Sequence, residues 1–373
     1  MTMVWDDVKS GVGQVHALVV GVGNYTHLDQ GKAAEFGLDP LLTSPPLSAA
    51  EFATFVLDEL NAPAAVGSVD LWISGTDSFT STKTGRKHPI GDPTIDNLTQ
   101  AIVDWAARAR TREDNIALFY FCGHGIAKAG TVGLLASDCG SQPNPLSGSI
   151  DLTALHGAMA SERKPSQQVF FIDACREPSL QAMRQHGEIG VDVLGWMTDV
   201  RGADDSAIFY ATLPTDSSYG KTNQVSLFTK AVLGALRGLG AQFRASDRWE
   251  VSTEYLQRGI NAAMKANTEG SKLDQHPQLG GWTSERELHR LTDPGEIPLS
   301  ISVLPHEPVS LIEMRRDSLV VKRFKPGEQF RGALPVADYV GRAKFTDEHW
   351  VLADQPVHLW PPEADLVWEA EWQ

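Results

Sequence analysis

Two short apolar runs dominate the hydrophobic pattern, Ile116–Cys122 and Val169–Ile172. Both are rich in aromatic and β-branched residues. They are too short for helices and lack polar alternation, which predicts strands buried on both faces. Each ends abruptly in reactive side chains: Cys122-Gly123-His124-Gly125 and Asp173-Ala174-Cys175-Arg176. Further strands are predicted over Gln14–Val22, Ser68–Ser74 and Ala207–Thr212, and a hairpin over Ala127–Asp138. Helical spacing appears at Ser48–Leu60, where Phe52, Phe55, Val56 and Leu60 recur three and four residues apart. Pro45-Pro46 stand just before this helix and Pro63 closes it. Helices are also predicted over Thr94–Arg110, with Thr94 as cap, and over Leu152–Arg163, Ser226–Arg237 and Val251–Ala266. Gly75–Pro93 reads as a long polar loop, and Arg176–Asp205 has no clear period. Strands alternating with helices predict crossover units and a mainly parallel α/β sheet. Ligands bind such sheets at the carboxyl edge. His124 and Cys175, 51 positions apart, are therefore expected to meet there.

The pattern changes near Thr292-Asp-Pro-Gly295. Short alternating runs follow, at Leu299–Val303, Ser318–Arg323, Val340–Thr346, Val357–Trp360 and Val367–Trp372, separated by Pro and Gly turns. Residues 1–292 thus read as one α/β domain, and 296–373 as a small all-β, sandwich-like domain.

A formal net charge of −15 argues against nucleic acid or an anionic membrane as partner and suits basic peptides, although an acidic surface also serves solubility. No apolar run reaches 18 residues, so no transmembrane helix is expected. Three cysteines in 373 residues, Cys122, Cys139 and Cys175, imply a reducing compartment without a disulfide framework, and a cytoplasmic location. Gly21-Val-Gly23 lacks the third glycine of a dinucleotide fingerprint and reads as a tight turn. Cys122-x-His124 has no second paired cluster to complete a zinc site, and Cys122 is assigned to packing.

A thiol becomes a strong nucleophile as thiolate, and a neighbouring imidazole can take its proton. A histidine about 50 residues upstream of an Ala-Cys motif is a caspase signature. With Tyr120–Gly125, Phe170–Arg176, Leu134–Asp138 and Leu227-Phe228-Thr229, residues 14–290 resemble a caspase-like cysteine protease of the caspase–metacaspase group, in its bacterial form. The resemblance implies that Cys175 attacks the scissile carbonyl and that His124 protonates the leaving amine. It also implies that the backbone N–H groups of Gly125 and Cys175 form the oxyanion hole. Metacaspase-like relatives carry Asp where Asp173 stands and cleave after Arg or Lys. A pocket carboxylate pairs well with either cation. Asp216 is similar in position to a second pocket acid, whereas Ser48-Ala49-Ala50 departs from the acid common at the first helix. Arg176, Arg184 and Arg201 are candidate activation cleavage sites for the chain itself or an upstream protease, as in zymogens of this group.

Asp204-Asp205 is similar to paired acids that bind calcium in some metacaspases. Two carboxylates are too few for a calcium cage, so no cofactor is expected and calcium stays only a candidate. The implied function is regulated proteolysis of protein substrates with basic cleavage sites, in stress, cell-death or antiviral defence signalling. The alternatives are a catalytically silent scaffold for protein binding and a thiol hydrolase or ligase acting on asparaginyl bonds.

Overall fold

The structure, a computed structural model, describes residues 2–128, 130–175, 189–195, 202–212, 222–245, 247–268, 275–304, 309–324 and 330–373. The first part of the chain supplies β1 (Met3–Asp6), β2 (Gln14–Gly21), β3 (Ala65–Ile73), the β4–β5 hairpin (Ser78–Thr80 and Lys87–Pro89) and β6 (Ile116–Cys122). There follow β7 (Gly125–Lys128), β8 (Thr131–Leu135), β9 (Ser149–Asp151), β10 (Gln167–Asp173), β11 (Asp205–Tyr210), β12 (Ala241–Arg244), β13 (Arg248–Ser252), β14 (Gln278–Trp282) and β15 (Glu287–Leu291). A seven-stranded sheet runs in the order β1-β3-β2-β6-β10-β11-β14. Its five inner strands are parallel, and β1 and β14 close the edges antiparallel.

Both faces of this sheet are covered, which is why β6 and β10 carry no polar alternation. Leu118, Tyr120, Val169 and Phe171 face one core with α1 (Ser44–Asp58) and the helices Leu227–Gly234 and Thr253–Thr268. Phe119, Phe121, Phe170 and Ile172 face the other, with α2 (Ile95–Ala109) and α3 (Leu152–Ala160). Thr94 caps α2, its side chain accepting from the Asn97 N–H.

Several boundaries differ from the sequence expectation. Pro45 and Pro46 lie inside the first turn of α1, where a missing N–H costs nothing. The stretch expected as loop over Gly75–Pro93 contains the β4–β5 hairpin. β12 pairs with β13, which pairs with β15, so the helix expected from Val251 starts at Thr253. That sheet escaped the pattern because its alternating strands span only four and five residues, too short to stand out in sequence.

Beyond Asp293 the chain forms β16 (Glu296–Leu304), β17 (Val309–Arg316), β18 (Leu319–Phe324), β19 (Arg331–Pro335), β20 (Ala337–Phe345), β21 (Trp350–Val351), β22 (Gln355–Leu359), β23 (Ala364–Glu369) and β24 (Glu371–Trp372). The sheets β19-β16-β23 and β18-β17-β20-β22 share a core of Ile301, Ile312, Met314, Phe324, Leu359 and Trp368. Lys265 of the Thr253–Thr268 helix bridges to Glu363 and Asp365, at 3.1 and 2.7 Å. Trp249 and Trp360 pack with ring centroids 5.0 Å apart.

Buried ionisable groups set the pH response of stability. Burial lowers the imidazoles of His16 and His289 to about 4 and raises the carboxyls of Asp70 and Asp205 to about 6. As pH falls from 6.5 towards 4, the unfolded chain takes protons that the two folded histidines refuse, and stability is lost. The two aspartates act oppositely, because their folded forms take the proton first. His289→Gln is therefore expected to gain about 2 kcal/mol on the wild type between pH 8 and pH 5. Denaturant melts at the two pH values check this, and a constant difference would refute it.

Candidate active site

Parallel register brings three strand ends level: Gly21 of β2 pairs with Cys122 of β6, which pairs with Asp173 of β10. The ladder continues past them through Val22 N–H to Cys122 O at 2.8 Å and Gly123 N–H to Asp173 O at 3.2 Å. Here the chain turns out of the sheet, so side chains after each strand end project over one edge. A cavity of about 470 Å³ opens there, and Asp39, Cys122, His124, Asp173, Cys175 and Ser226 are among its lining. His124 and Cys175 thus share one cavity, as their positions at neighbouring strand ends predict.

The two segments approach closely. A Cβ on Gly125 would lie 2.5 Å from the Cys175 carbonyl oxygen. Only glycine allows this contact, and it sets the backbones of the two candidate oxyanion donors, Gly125 and Cys175, side by side. Gly125→Ala must push the segments apart. A misplacement approaching 1 Å costs on the order of 10²-fold in rate. We expect that loss in kcat against a model peptide, with a folded circular dichroism spectrum; activity within twofold of wild type would contradict it.

His124 is held at several points. Its backbone N–H donates to the Tyr25 hydroxyl at 2.6 Å, and its carbonyl accepts from Leu135 N–H at 3.0 Å. The Nε2 atom lies 2.8 Å from the Asp39 carbonyl oxygen. A carbonyl can only accept, so Nε2 carries the hydrogen and neutral Nδ1 is left as an acceptor. Burial lowers the imidazole pKa, and the Asp39 carbonyl opposes this more weakly. The neutral ring suits a group that must accept a proton near pH 7.

Asp173 is only 3% exposed. Its Oδ2 accepts from the Thr229 hydroxyl at 2.8 Å and from the Ser226 hydroxyl. Ser226 also caps the Leu227–Gly234 helix, accepting from Thr229 N–H at 3.0 Å. A carboxylate at a helix N-terminus with hydroxyl donors is favourably placed, which explains how an acid persists at this depth. Cys122 packs in the α1-side core, as expected, and also lines the cavity beside Asp173. Burial and then the Asp173 charge push its thiol well above the usual range. At the start of α1, Ser44 lines the cavity and the Ser48 hydroxyl accepts Ser226 N–H at 3.0 Å. Hydroxyls thus stand at this end of α1, where the sequence carries Ser48-Ala49-Ala50.

Asp216 lies outside the described residues, as do Arg176, Arg184 and Arg201. Residues after Cys175 that are described do not all drift free. Ile189 is buried, and Val191 bonds to β9 through Val191 N–H to Ser149 O at 2.7 Å. Asp205 faces the opposite end of β11 and accepts from Gln167, Thr253 and Ser284, while Asp204 pairs with Arg286. Among the described residues no group of three or more His, Cys, Asp or Glu is arranged to hold a metal ion. Gly21-Val-Gly23 serves close packing: a Cβ on Gly23 would lie 2.4 Å from the Leu42 carbonyl.

Two contributors were missed by sequence reasoning, Tyr25 and the Asp39 carbonyl. Tyr25 carried a signal, since it follows β2 at the same sheet edge. A main-chain carbonyl carries none.

Comparison with known proteins places this geometry. Residues 14–288 match the family model for the caspase domain, Peptidase_C14. The chain is 28% identical over 274 residues to uncharacterized protein y4kE of Sinorhizobium fredii, covering 71% of this chain and 78% of that one. Among solved structures it is similar to protein GSU0716 of Geobacter sulfurreducens, with TM-score 0.45, 13% identity, and coverage of 74% of this chain and 97% of that one. It is also similar to caspase-1 of Spodoptera frugiperda, with TM-score 0.44, 14% identity, and coverage of 72% and 88%. Among the described residues no helix is long and apolar enough to cross a membrane. With the family model spanning most of the chain and the two motif-bearing strand ends meeting at one cavity, the chain belongs to the caspase-domain family of cysteine peptidases.

Proposed function

We propose that the protein is an endopeptidase working through a Cys175–His124 dyad and cleaving protein substrates after Arg or Lys. The observation that carries this reading is the shared cavity, with His124 and Cys175 on its wall and the buried Asp173 carboxylate beside them. Cys175 supplies the nucleophile. His124, neutral and carrying its hydrogen on Nε2, takes the thiol proton and returns it to the leaving amine. The Gly125 and Cys175 N–H groups receive the developing oxyanion. The cavity has room for a long side chain, whose cationic head meets Asp173.

The activity belongs to regulated proteolysis in the cytoplasm, such as stress, cell-death or antiviral defence signalling, with cleavage between residues 176 and 205 as the activating event. In this reading residues 1–292 are the protease unit and 296–373 a β-rich unit that recruits partners or restrains the protease.

A fluorogenic peptide panel ending in Arg, Lys, Asp or Asn, with and without calcium, tests it on intact protein and on protein nicked between 176 and 205. Cleavage after Arg or Lys is expected. Cleavage after Asn alone would favour an asparaginyl hydrolase. Silence of both forms, with no labelling by a thiol-reactive peptide, would favour the scaffold.

A further inference from the structure

We infer that Tyr25 is a positioning residue for His124, a role that rests on the dyad reading above. Its side chain is 1% exposed and lies directly beneath the histidine. The hydroxyl accepts the His124 backbone N–H at 2.6 Å, and the two rings pack at 4.9 Å between centroids with a 41° tilt. Burial keeps the phenol protonated, its pKa raised well above the usual value. The neighbouring glycine fits this contact: a Cβ on Gly123 would lie 2.7 Å from the Tyr25 hydroxyl oxygen. The hydroxyl therefore occupies space that any other residue at 123 would take.

Tyr25 also reaches the other side of the imidazole through its backbone. Its N–H donates to Pro40 O at 2.9 Å, and Asn24 and Leu41 form an antiparallel bridge. Leu42 N–H closes the same clamp on Gly23 O at 2.7 Å, and the Ser74 hydroxyl holds the Gly23 and Asn24 N–H groups at 2.7 and 2.9 Å. The residue next to Pro40 is Asp39, whose carbonyl meets Nε2. One residue thus pins the histidine backbone with its side chain, and with its main chain pins the segment that selects the tautomer. A histidine held at both ends keeps Nδ1 aimed and spends little time in the other tautomer.

Tyr25→Phe tests this, because it keeps the ring and the Pro40 bond and removes only the hydroxyl. Relative to wild type, kcat on the best panel peptide is expected to fall on the order of 10-fold, with KM within twofold. Imidazole nitrogen-15 NMR in a Cys175→Ala background reads the ring without turnover. With Tyr25 present it should show Nε2–H and titrate below the ordinary histidine value. In the Tyr25→Phe variant of the same background, a tautomer mixture is expected, with a titration moving further down as the Asp39 carbonyl loses its hold on the protonated ring. A lower melting temperature with unchanged kcat, tautomer and titration would reduce Tyr25 to packing and overturn the inference. An inactive wild type would sink the endopeptidase reading alone, because the NMR comparison still decides the histidine's tether.

Discussion

Cys175→Ala is expected to abolish peptide turnover, by on the order of 10⁶-fold if the dyad behaves as a unit. The expectation rests on position. Cys175 is the half-exposed thiol of the three, whereas Cys122 and Cys139 are buried. Burial pushes the Cys122 thiol well above its usual range and Cys139 up to about 12, so neither provides thiolate near pH 7. Cys139 in addition donates its thiol to Pro145 O at 3.3 Å. Cys139→Ala should accordingly retain nearly full activity, and one equivalent of iodoacetamide should label Cys175 alone. Residual turnover by Cys175→Ala above that of a buffer blank would assign the nucleophile elsewhere. Equal labelling of Cys122 would show that its depth beside Asp173 does not protect it.

The second large effect concerns Asp173. Asp173→Asn keeps the shape and one carbonyl oxygen for the Ser226 and Thr229 hydroxyls, so the helix cap and fold should survive. The change removes the anion. A charged hydrogen bond in a water-poor pocket, left without its partner, is a loss of about 3–5 kcal/mol. This corresponds to a fall in kcat/KM for Arg and Lys peptides of on the order of 10²- to 10⁴-fold. Because the effect acts through the substrate's charge, a peptide with an uncharged residue before the scissile bond should lose far less. A uniform fall across all peptides would show instead that Asp173 supports the fold of the cavity. Undiminished cleavage after Arg would place the cation elsewhere, for instance near Asp39, which also lines the cavity.

The chain's pattern determined a good deal by itself. Consecutive apolar residues over Ile116–Cys122 and Val169–Ile172 specify strands covered on both faces, because no half-exposed strand tolerates them. Reactive residues where those runs stop specify the sheet edge. Covalent order and side-chain type placed His124 and Cys175 at one edge of the sheet, and the family resemblance pointed to Asp173. The short antiparallel strands at 241–244 and 248–252 and the hairpin inside 75–93 were not legible, because each run is only three to five residues long and gains its burial from neighbours distant in sequence.

What the tertiary structure alone decided is how those groups are held. The Asp39 carbonyl meets His124 across 85 residues and the Tyr25 hydroxyl meets it across 99. Asp173 finds the Ser226 and Thr229 hydroxyls 53 and 56 residues away, at a helix N-terminus whose partial charge depends on the direction in which that helix arrives. Carbonyls and N–H groups occur at nearly every position, so residue type does not mark which one will orient an imidazole. Residue identity therefore determined the chemistry available at this edge of the sheet. The tautomer of the histidine and the setting of the buried acid follow from backbone groups that only the folded chain brings within hydrogen-bonding distance.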